Sequence, residues 1–182
     1  MATLDHVHNL DVFWDDEFKR LNYNTEAFNN PQDTELWLSQ GYPGKFTGAM
    51  CDMRSPQPSW NNKFIEYFAS YGWQDIGTSY YRMNSGTILP VHRDTYKKYI
   101  ELFGLEGKEH TIRRAIVFLE DWKSGHYLEL KGVPVTEWRA GFTVVWAYDA
   151  PHMAAMSAMM ELMKSGEMDS WMAARKAEFE GL

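Results

Sequence analysis

The spacing of apolar and polar residues divides the chain into two parts. Before about residue 74, apolar residues recur at helical spacing, which predicts short helices over 11–20, 33–40 and 60–71. After that point the period becomes that of β-strands. Strands are predicted at 80–83, 86–91, 111–119, 127–131, 133–138 and 142–148. A single helix over 95–103 interrupts this series, with Gly104 where a left-handed C-cap would lie.

This rhythm of short strands predicts an α+β, mainly β fold: a β-barrel or jelly roll with N-terminal helices packed on one side. No linker or repeat interrupts the chain, so we expect a single domain over residues 1–182. Within it, residues 1–73 would give helical support and residues 74–152 the β core. The segment 153–164 is rich in Ala, Met and Leu, so residues 153–182 are expected to form a helical tail.

Charge and composition exclude several classes of function. The net charge is -7 and basic residues are not clustered, which argues against nucleic-acid binding. No apolar run reaches the length of a membrane span, and the first residues do not resemble a secretory signal. The single cysteine, Cys51, is expected to be a small buried hydrophobe and fits a reducing compartment. We therefore expect a cytoplasmic protein with no nucleic-acid or membrane partner.

Candidate chemistry is concentrated in His92-x-Asp94 and in His152, which follows the last predicted strand. In an extended segment residues i and i+2 face the same side, so His92 and Asp94 could converge on one ion, and His152 could complete the set. Two imidazoles and one carboxylate are the ligands that non-haem Fe(II) oxygenases use, whereas zinc fits less well. The alternative is that these are ordinary surface or core histidines.

At these residues the chain resembles a known family over 78–152. The shared motifs are Tyr81-Arg-Met-Asn-Ser-Gly86-Thr87 leading into His92-x-Asp94, the segment Ile112-Arg113-Arg114-Ala-Ile-Val-Phe-Leu119, Gly125 before a strand, Trp138-Arg-Ala-Gly141, and Pro151-His152. They are similar to those of the 2-oxoglutarate/Fe(II)-dependent oxygenases, in particular the aspartyl/asparaginyl β-hydroxylases and related phage oxygenases.

The resemblance implies a double-stranded β-helix, also called a cupin-like jelly roll. It implies that His92, Asp94 and His152 bind Fe(II), and that 2-oxoglutarate is the cosubstrate. The reaction it implies is hydroxylation of an amino-acid or peptidyl side chain, on a small-molecule or peptidyl substrate. A viral origin is a further hypothesis, because phage oxygenases belong to the similar branch.

A binding site for the oxoglutarate carboxylates is predicted on the strand that contains Arg113 and Arg114. This strand is apolar on both faces, so one of the two arginines must lie inside the fold. A buried guanidinium needs an acid or a ligand carboxylate. The similar hydroxylases have an arginine at the position of Arg114. Tyr81 is at the matching position on the earlier strand, and its hydroxyl could donate a further hydrogen bond. A structural ion pair is the alternative role for Arg114.

The C-terminal segment departs from the family pattern. The family has a basic residue about ten positions after the distal histidine, where this chain has Leu162; the nearest cation is Lys164. Either Arg114 or Lys164 anchors the cosubstrate, or oxoglutarate binding is weakened, or the C-terminus has been altered by a frame change or truncation. The alternative function is therefore a non-catalytic or oxoglutarate-independent metal-binding cupin-like module.

Methionine is unevenly distributed: seven of the 11 methionines follow His152. Met side chains suit irregular interfaces, so a homodimer through the methionine-rich C-terminus is one hypothesis. His126 lies beside a predicted strand and is a further candidate metal ligand, although a structural role is the simpler expectation.

Overall fold

The computed structural model of the chain describes residues 6–27, 30–42, 46–84 and 86–155. These residues form a mixed α+β fold that is mainly β, as the sequence predicts. The helices are α1 (Pro31–Ser39), α2 (Asn61–Ser70) and α3 (Lys97–Phe103), with 3-10 turns at Asp16–Arg20 and Glu109–Thr111. The strands are β1 (His6–Asn9), β2 (Asn24–Ala27), β3 (Thr47–Cys51), β4 (Tyr80–Arg82), β5 (Ile88–His92), β6 (Arg113–Val117), β7 (Tyr127–Leu130), β8 (Val133–Val135), β9 (Phe142–Ala147) and β10 (His152–Ala155).

The strands form three antiparallel sheets. Their orders are β1-β9-β6, β5-β10-β7-β8 and β2-β3-β4. Among the described strands these sheets do not join into a closed barrel. A central hydrophobic cluster contains Leu128, Leu130 and Val135 of the β5-β10-β7-β8 sheet together with Val144 and Trp146 of the β1-β9-β6 sheet. The β5-β10-β7-β8 and β1-β9-β6 sheets therefore share one core.

Strand β6 lies between two hydrophobic clusters, as its apolar pattern predicts. Ile116 and Phe118 pack against the central cluster. Val117 and Leu119 pack on the other side, against an N-terminal aromatic cluster. This second cluster consists of Leu10, Trp14, Cys51, Trp60, Phe64 and Tyr80. Cys51 is fully buried within it, as expected.

Turn residues in the second part of the chain lie where the sequence places them. Lys131 and Gly132 both have positive φ, which is the backbone of a tight two-residue hairpin between β7 and β8. Gly104 ends α3 in the left-handed conformation, with φ 60 and ψ 46. Gly141 has φ +92 and the carbonyl of Leu10 lies against it, so a Cβ there would be 2.0 Å from that oxygen. Only glycine fits this position without strain.

The N-terminal part is less helical than the sequence predicts. Residues 1–73 were expected to give helical support, yet β1, β2 and β3 lie within them. The helix predicted over 11–20 is reduced to the 3-10 turn Asp16–Arg20. The physical reason is pairing with distant strands, because β1 adds to β9 and β3 pairs with β4.

The helix predicted to begin after His152 is wrong for its first residues. Met153 to Ala155 continue from His152 as β10, which pairs with β5 on one side and β7 on the other. Hydrogen bonding to two neighbours outweighs the helix propensity of Met and Ala. The remainder of the predicted helical tail, Lys164 included, lies outside the described residues.

None of the helices in the described ranges combines the length and apolar character needed to cross a membrane.

Candidate metal centre

Sheet register brings the two predicted histidine ligands together. His92 ends β5 and His152 begins β10, and the two are directly opposite each other in the antiparallel pair. Opposite residues of such a pair project to the same face of the sheet. Their ring centroids are 4.4 Å apart.

Asp94 follows the end of β5 and completes a cluster with the two histidines. Its Oδ2 lies 3.3 Å from Nε2 of His152, and its Oδ1 lies 3.8 Å from Nε2 of His92. One ligand atom from each of the three side chains lies within 4.8 Å of the others. We call these residues the histidine cluster; their donor atoms are close enough to hold one metal ion.

Backbone carbonyls fix the orientation of both imidazoles. Nδ1 of His92 lies 2.7 Å from the carbonyl oxygen of Pro90, and Nδ1 of His152 lies 3.1 Å from that of Ala150. A carbonyl oxygen can only accept, so each Nδ1 carries the proton and donates. The lone pair of each ring is then on Nε2, the nitrogen nearer Asp94. A ligating histidine commonly has its other ring nitrogen bonded in this way.

Burial keeps both imidazoles neutral. The side chains of His92 and His152 are 4% and 5% exposed. Desolvation lowers the pKa of His92 to about 4, with a further contribution from His152. Desolvation also lowers the pKa of His152 to about 4, assisted by the charge of Arg114. Neutral imidazole is the form that binds a metal ion, so no proton has to leave these rings near pH 7.

Arg114 lies inside the fold, as predicted, and it contacts the histidine cluster. Its Nη1 forms an ion pair with Oδ2 of Asp94, and the Arg114 side chain is 20% exposed. The guanidinium carbon lies 5.4 Å from the centre of the Trp146 ring and 5.6 Å from that of Tyr81. Burial lowers the pKa of Arg114, but a guanidinium remains charged at neutral pH. The acid that Arg114 meets is therefore Asp94.

The other predicted site residues differ in position. Tyr81 is 61% exposed, with its ring beside Arg114. Lys164 lies outside the described residues. His126 packs near Trp138, with ring centroids 6.1 Å apart, and is not a member of the histidine cluster.

Two aromatic residues also lie near the cluster. The Trp146 ring lies 5.5 Å from that of His152, and Trp146 is 1% exposed. Tyr96 lies near Trp146, and the indole N–H interacts with the Tyr96 hydroxyl. The pairing of β6 with β9 places Trp146 directly opposite Arg114, which was a signal available from the strand pattern. Nothing in the pattern indicates that Tyr96 faces inward.

The residues present fit a divalent metal ion. Oδ2 of Asp94 is buried, is paired with Arg114, and lies 3.3 Å from Nε2 of His152, which carries a lone pair rather than a proton. Such an oxygen, next to two oriented imidazole lone pairs, forms an N, N, O donor set. This set suits non-haem Fe(II) and leaves other positions of the ion for further ligands.

Comparison of the chain with protein-family models, with curated proteins and with solved structures finds no match.

Proposed function

We propose that the protein is a 2-oxoglutarate- and O₂-dependent non-haem Fe(II) oxygenase that hydroxylates an amino-acid or peptidyl side chain. The observation that carries this proposal is the histidine cluster, in which two oriented neutral imidazoles face one carboxylate. His92, His152 and Asp94 would hold the ion. When bound, Fe(II) supplies the reactivity toward O₂ that couples decarboxylation of oxoglutarate to succinate and CO₂ with hydroxylation of a C–H bond.

We also propose that two of the sheets correspond to the two halves of a double-stranded β-helix. Supporting this, the β5-β10-β7-β8 and β1-β9-β6 sheets contribute facing residues to one central cluster. His92 and His152 belong to the first sheet, while Arg114 and Trp146 belong to the second. The site would then lie between the two sheets, where a ligand can be shielded from water.

Charge balance supports a dicarboxylate as the cosubstrate. Without a metal ion, the negative charge of Asp94 is offset by Arg114, and both histidines are neutral. A divalent cation adds two positive charges to this largely buried site. Uncompensated buried charge is costly, so a dianion would restore neutrality. Oxoglutarate is a dianion near pH 7.

Arg114 would anchor that dianion. If Asp94 binds the metal ion, its carboxylate is shared between the ion and the guanidinium of Arg114. The planar N–H donors of Arg114 would then be available to a ligand carboxylate. The rings of Tyr81 and Trp146 limit where the guanidinium can move. Lys164 is a second candidate cation for this role, by its position in the sequence.

A second candidate function is a non-catalytic or oxoglutarate-independent metal-binding cupin-like module. Two observations favour it: Leu162 replaces the basic residue expected after the distal histidine, and Arg114 is already paired with Asp94. Both functions require the histidine cluster, so metal binding alone does not separate them.

Oxoglutarate turnover separates the two functions. Fe(II)-loaded protein is mixed with oxoglutarate, O₂ and a panel of amino acids and peptides, and succinate and hydroxylated product are measured. We expect succinate release that is lost in Asp94→Ala and retained in the surface variant Asp121→Ala. The absence of succinate with every substrate, together with the absence of a charge-transfer absorption band on adding oxoglutarate, would reject the oxygenase.

The tail hypothesis has its own test. We propose a homodimer through the methionine-rich C-terminus, and light scattering measures it directly. A monomer mass for the full chain would reject this dimer.

A further inference from the structure

Two polar atoms beside the histidine cluster are buried and complete no hydrogen bond among the residues that the structure describes. They are the hydroxyl oxygen of Tyr96 and the indole Nε1 of Trp146. Burying a polar group without a partner is unfavourable, and most buried polar groups in folded proteins have one. The indole N–H of Trp146 lies close to the phenol oxygen of Tyr96 without completing a hydrogen bond to it, so both groups keep capacity for a further partner.

Both side chains lie next to groups already assigned to the site. Trp146 is opposite Arg114 in the β6–β9 pair, and the guanidinium carbon is 5.4 Å from the centre of its ring. The same ring lies 5.5 Å from the imidazole of His152. Tyr96 is close to both Trp146 and Tyr81 and comes two residues after Asp94 in the chain.

The backbone at Tyr96 is unfavourable for an aromatic residue. Its φ is 50 and its ψ is 22, the left-handed conformation. Bulky side chains rarely adopt this region, and residues held there tend to lie at functional sites. The chain thus keeps a phenol inside the site despite the strain, and despite the lack of a partner for its hydroxyl.

The chemistry of these groups selects the ligand. The indole N–H can only donate, and so can the guanidinium of Arg114. The phenol of Tyr96 carries an O–H that can donate. Asp94, the acceptor nearest Arg114, is the proposed metal ligand. The site therefore offers donors to an anion with several acceptor atoms.

We propose that Tyr96 and Trp146 form, with Arg114, a carboxylate subsite beside the histidine cluster. This inference rests on the proposed function, because it takes Asp94 to be engaged by the metal ion. The carboxylate can come from oxoglutarate or from an amino-acid substrate. In either case Tyr96 and Trp146 supply neutral donors, and Arg114 supplies the charge.

The test is ligand affinity of the full chain, loaded with Fe(II) under anaerobic conditions so that no turnover occurs. Oxoglutarate is titrated by calorimetry into wild type, Tyr96→Phe, Trp146→Phe and the control Tyr80→Phe. Tyr80 is also buried, but its hydroxyl donates to Asn61 Oδ1 at 2.7 Å. If the subsite binds oxoglutarate, we expect this affinity to fall about 10-fold or more in Tyr96→Phe and Trp146→Phe, because hydrogen bonds to a charged acceptor are the stronger kind. Tyr80→Phe should bind as wild type does.

A second titration identifies the source of the carboxylate. The free L-amino acids are titrated one at a time into the same proteins at saturating oxoglutarate. If only amino-acid affinity falls in Tyr96→Phe, the subsite binds the substrate. If only oxoglutarate affinity falls, it binds the cosubstrate. Fe(II) affinity is measured in parallel and should change less than about twofold, since neither residue is a ligand.

Three results would overturn the subsite. Unchanged affinity of Tyr96→Phe for both kinds of ligand would reject it while leaving the oxygenase proposal intact. An equal loss in Tyr80→Phe would show that the effect is structural. Wild-type protein that binds Fe(II) but no carboxylate would reject the subsite and the use of oxoglutarate together.

Discussion

Two regions of the molecule use the same aromatic residue types in opposite ways. In the N-terminal aromatic cluster, Trp60 Nε1 donates to Asp15 Oδ1 at 3.1 Å and the Tyr80 hydroxyl donates to Asn61 Oδ1 at 2.7 Å. Beside the histidine cluster, the corresponding atoms of Trp146 and Tyr96 are close to each other but complete no hydrogen bond within the described residues.

This difference distinguishes polar groups that stabilise the fold from polar groups that remain available to a ligand. A hydrogen-bonded indole or phenol adds to the stability and uniqueness of a core, as in the N-terminal aromatic cluster. A buried indole or phenol without a hydrogen bond lowers the stability of the fold, and it is retained where a ligand supplies the missing partner. The carboxylates of the two regions also differ, because that of Asp15 accepts two hydrogen bonds whereas that of Asp94 is held by an ion pair with Arg114.

Acid should destabilise the site before it affects the N-terminal aromatic cluster. An unfolded histidine has a pKa near 6.5, whereas in the folded protein the pKa of His92 and that of His152 are about 4. The unfolded state therefore binds more protons between these values, and the free energy of unfolding falls as pH drops from about 6.5 towards 4. The loss is on the order of 3 kcal/mol for each imidazole.

Asp15 gives the contrast in the same experiment. The backbone N–H of Glu17 and the indole of Trp60 lower the pKa of Asp15 below 3.8, so its contribution is lost only at more acid pH. Urea unfolding of the metal-free protein between pH 7 and 4.5 measures the difference. The double variant His92→Gln/His152→Gln should show a flatter profile, and a flat profile in wild type would contradict the buried neutral pair.

Removing a histidine of the cluster should abolish tight metal binding. His152→Ala is expected to lower Fe(II) affinity about 100-fold or more, because loss of a ligand exceeds the effect of losing its outer-shell partner. His126→Ala is the matched control, since His126 lies outside the histidine cluster. Anaerobic calorimetric titration measures both, and equal affinities would exclude His152 as a ligand.

Two arginines should respond differently to neutralisation. Arg114→Met leaves Asp94 uncompensated at a site where the paired side chains are 20% and 26% exposed. We expect a loss of about 2 kcal/mol in the free energy of unfolding, less than for a fully buried pair. Arg139 pairs with Asp121 at 3.2 Å on the surface, so Arg139→Met should cost about 0.5 kcal/mol or less.

Metal ions sharpen this comparison. In Arg114→Met the Asp94 carboxylate has lost its positively charged partner, and a bound Fe(II) ion replaces that positive charge. Saturating Fe(II) should therefore raise the free energy of unfolding of this variant more than that of wild type. Urea unfolding with and without Fe(II), under anaerobic conditions, measures the gain. A smaller gain in Arg114→Met than in wild type would indicate that Asp94 does not bind the ion.

Removing a single hydroxyl gives the smallest predicted effect. Tyr80→Phe loses a buried hydrogen bond and should lower the free energy of unfolding by about 1 kcal/mol. Tyr96→Phe loses none in the ligand-free protein and should be neutral or slightly stabilising. Thermal unfolding of the two variants tests the contrast, which fails if Tyr96→Phe is the less stable of the pair.

Much of the second part of the chain was predictable because its signals are local. Alternation and turn residues indicate β4 to β9 to within a few residues, and Gly104 and Lys131-Gly132 end elements where expected. The histidine cluster was also predictable, since His92-x-Asp94 and Pro151-His152 adjoin predicted strands. The two apolar faces of β6 predicted one arginine inside the fold, and the family resemblance identified it as Arg114.

The remaining features depend on distant parts of the chain. Strand β1 has the sequence HVHN, which indicates no strand by itself and is extended because it pairs with β9. Met153–Ala155 has helix-forming residues but lies between two strands. The inward position of Tyr96 follows from a left-handed backbone angle that its sequence does not encode. At β1 and at Met153–Ala155 local propensity fails for the same reason, which is pairing with distant strands.

The central claim is that His92, Asp94 and His152 form one metal centre. X-ray absorption spectroscopy of the full chain, loaded anaerobically with one equivalent of Fe(II), tests it most directly. The account predicts a first coordination sphere with two imidazole nitrogens and oxygen donors, and a change in that sphere when oxoglutarate is added. A sphere without imidazole, or an identical spectrum from the His92→Ala/His152→Ala variant, would contradict it.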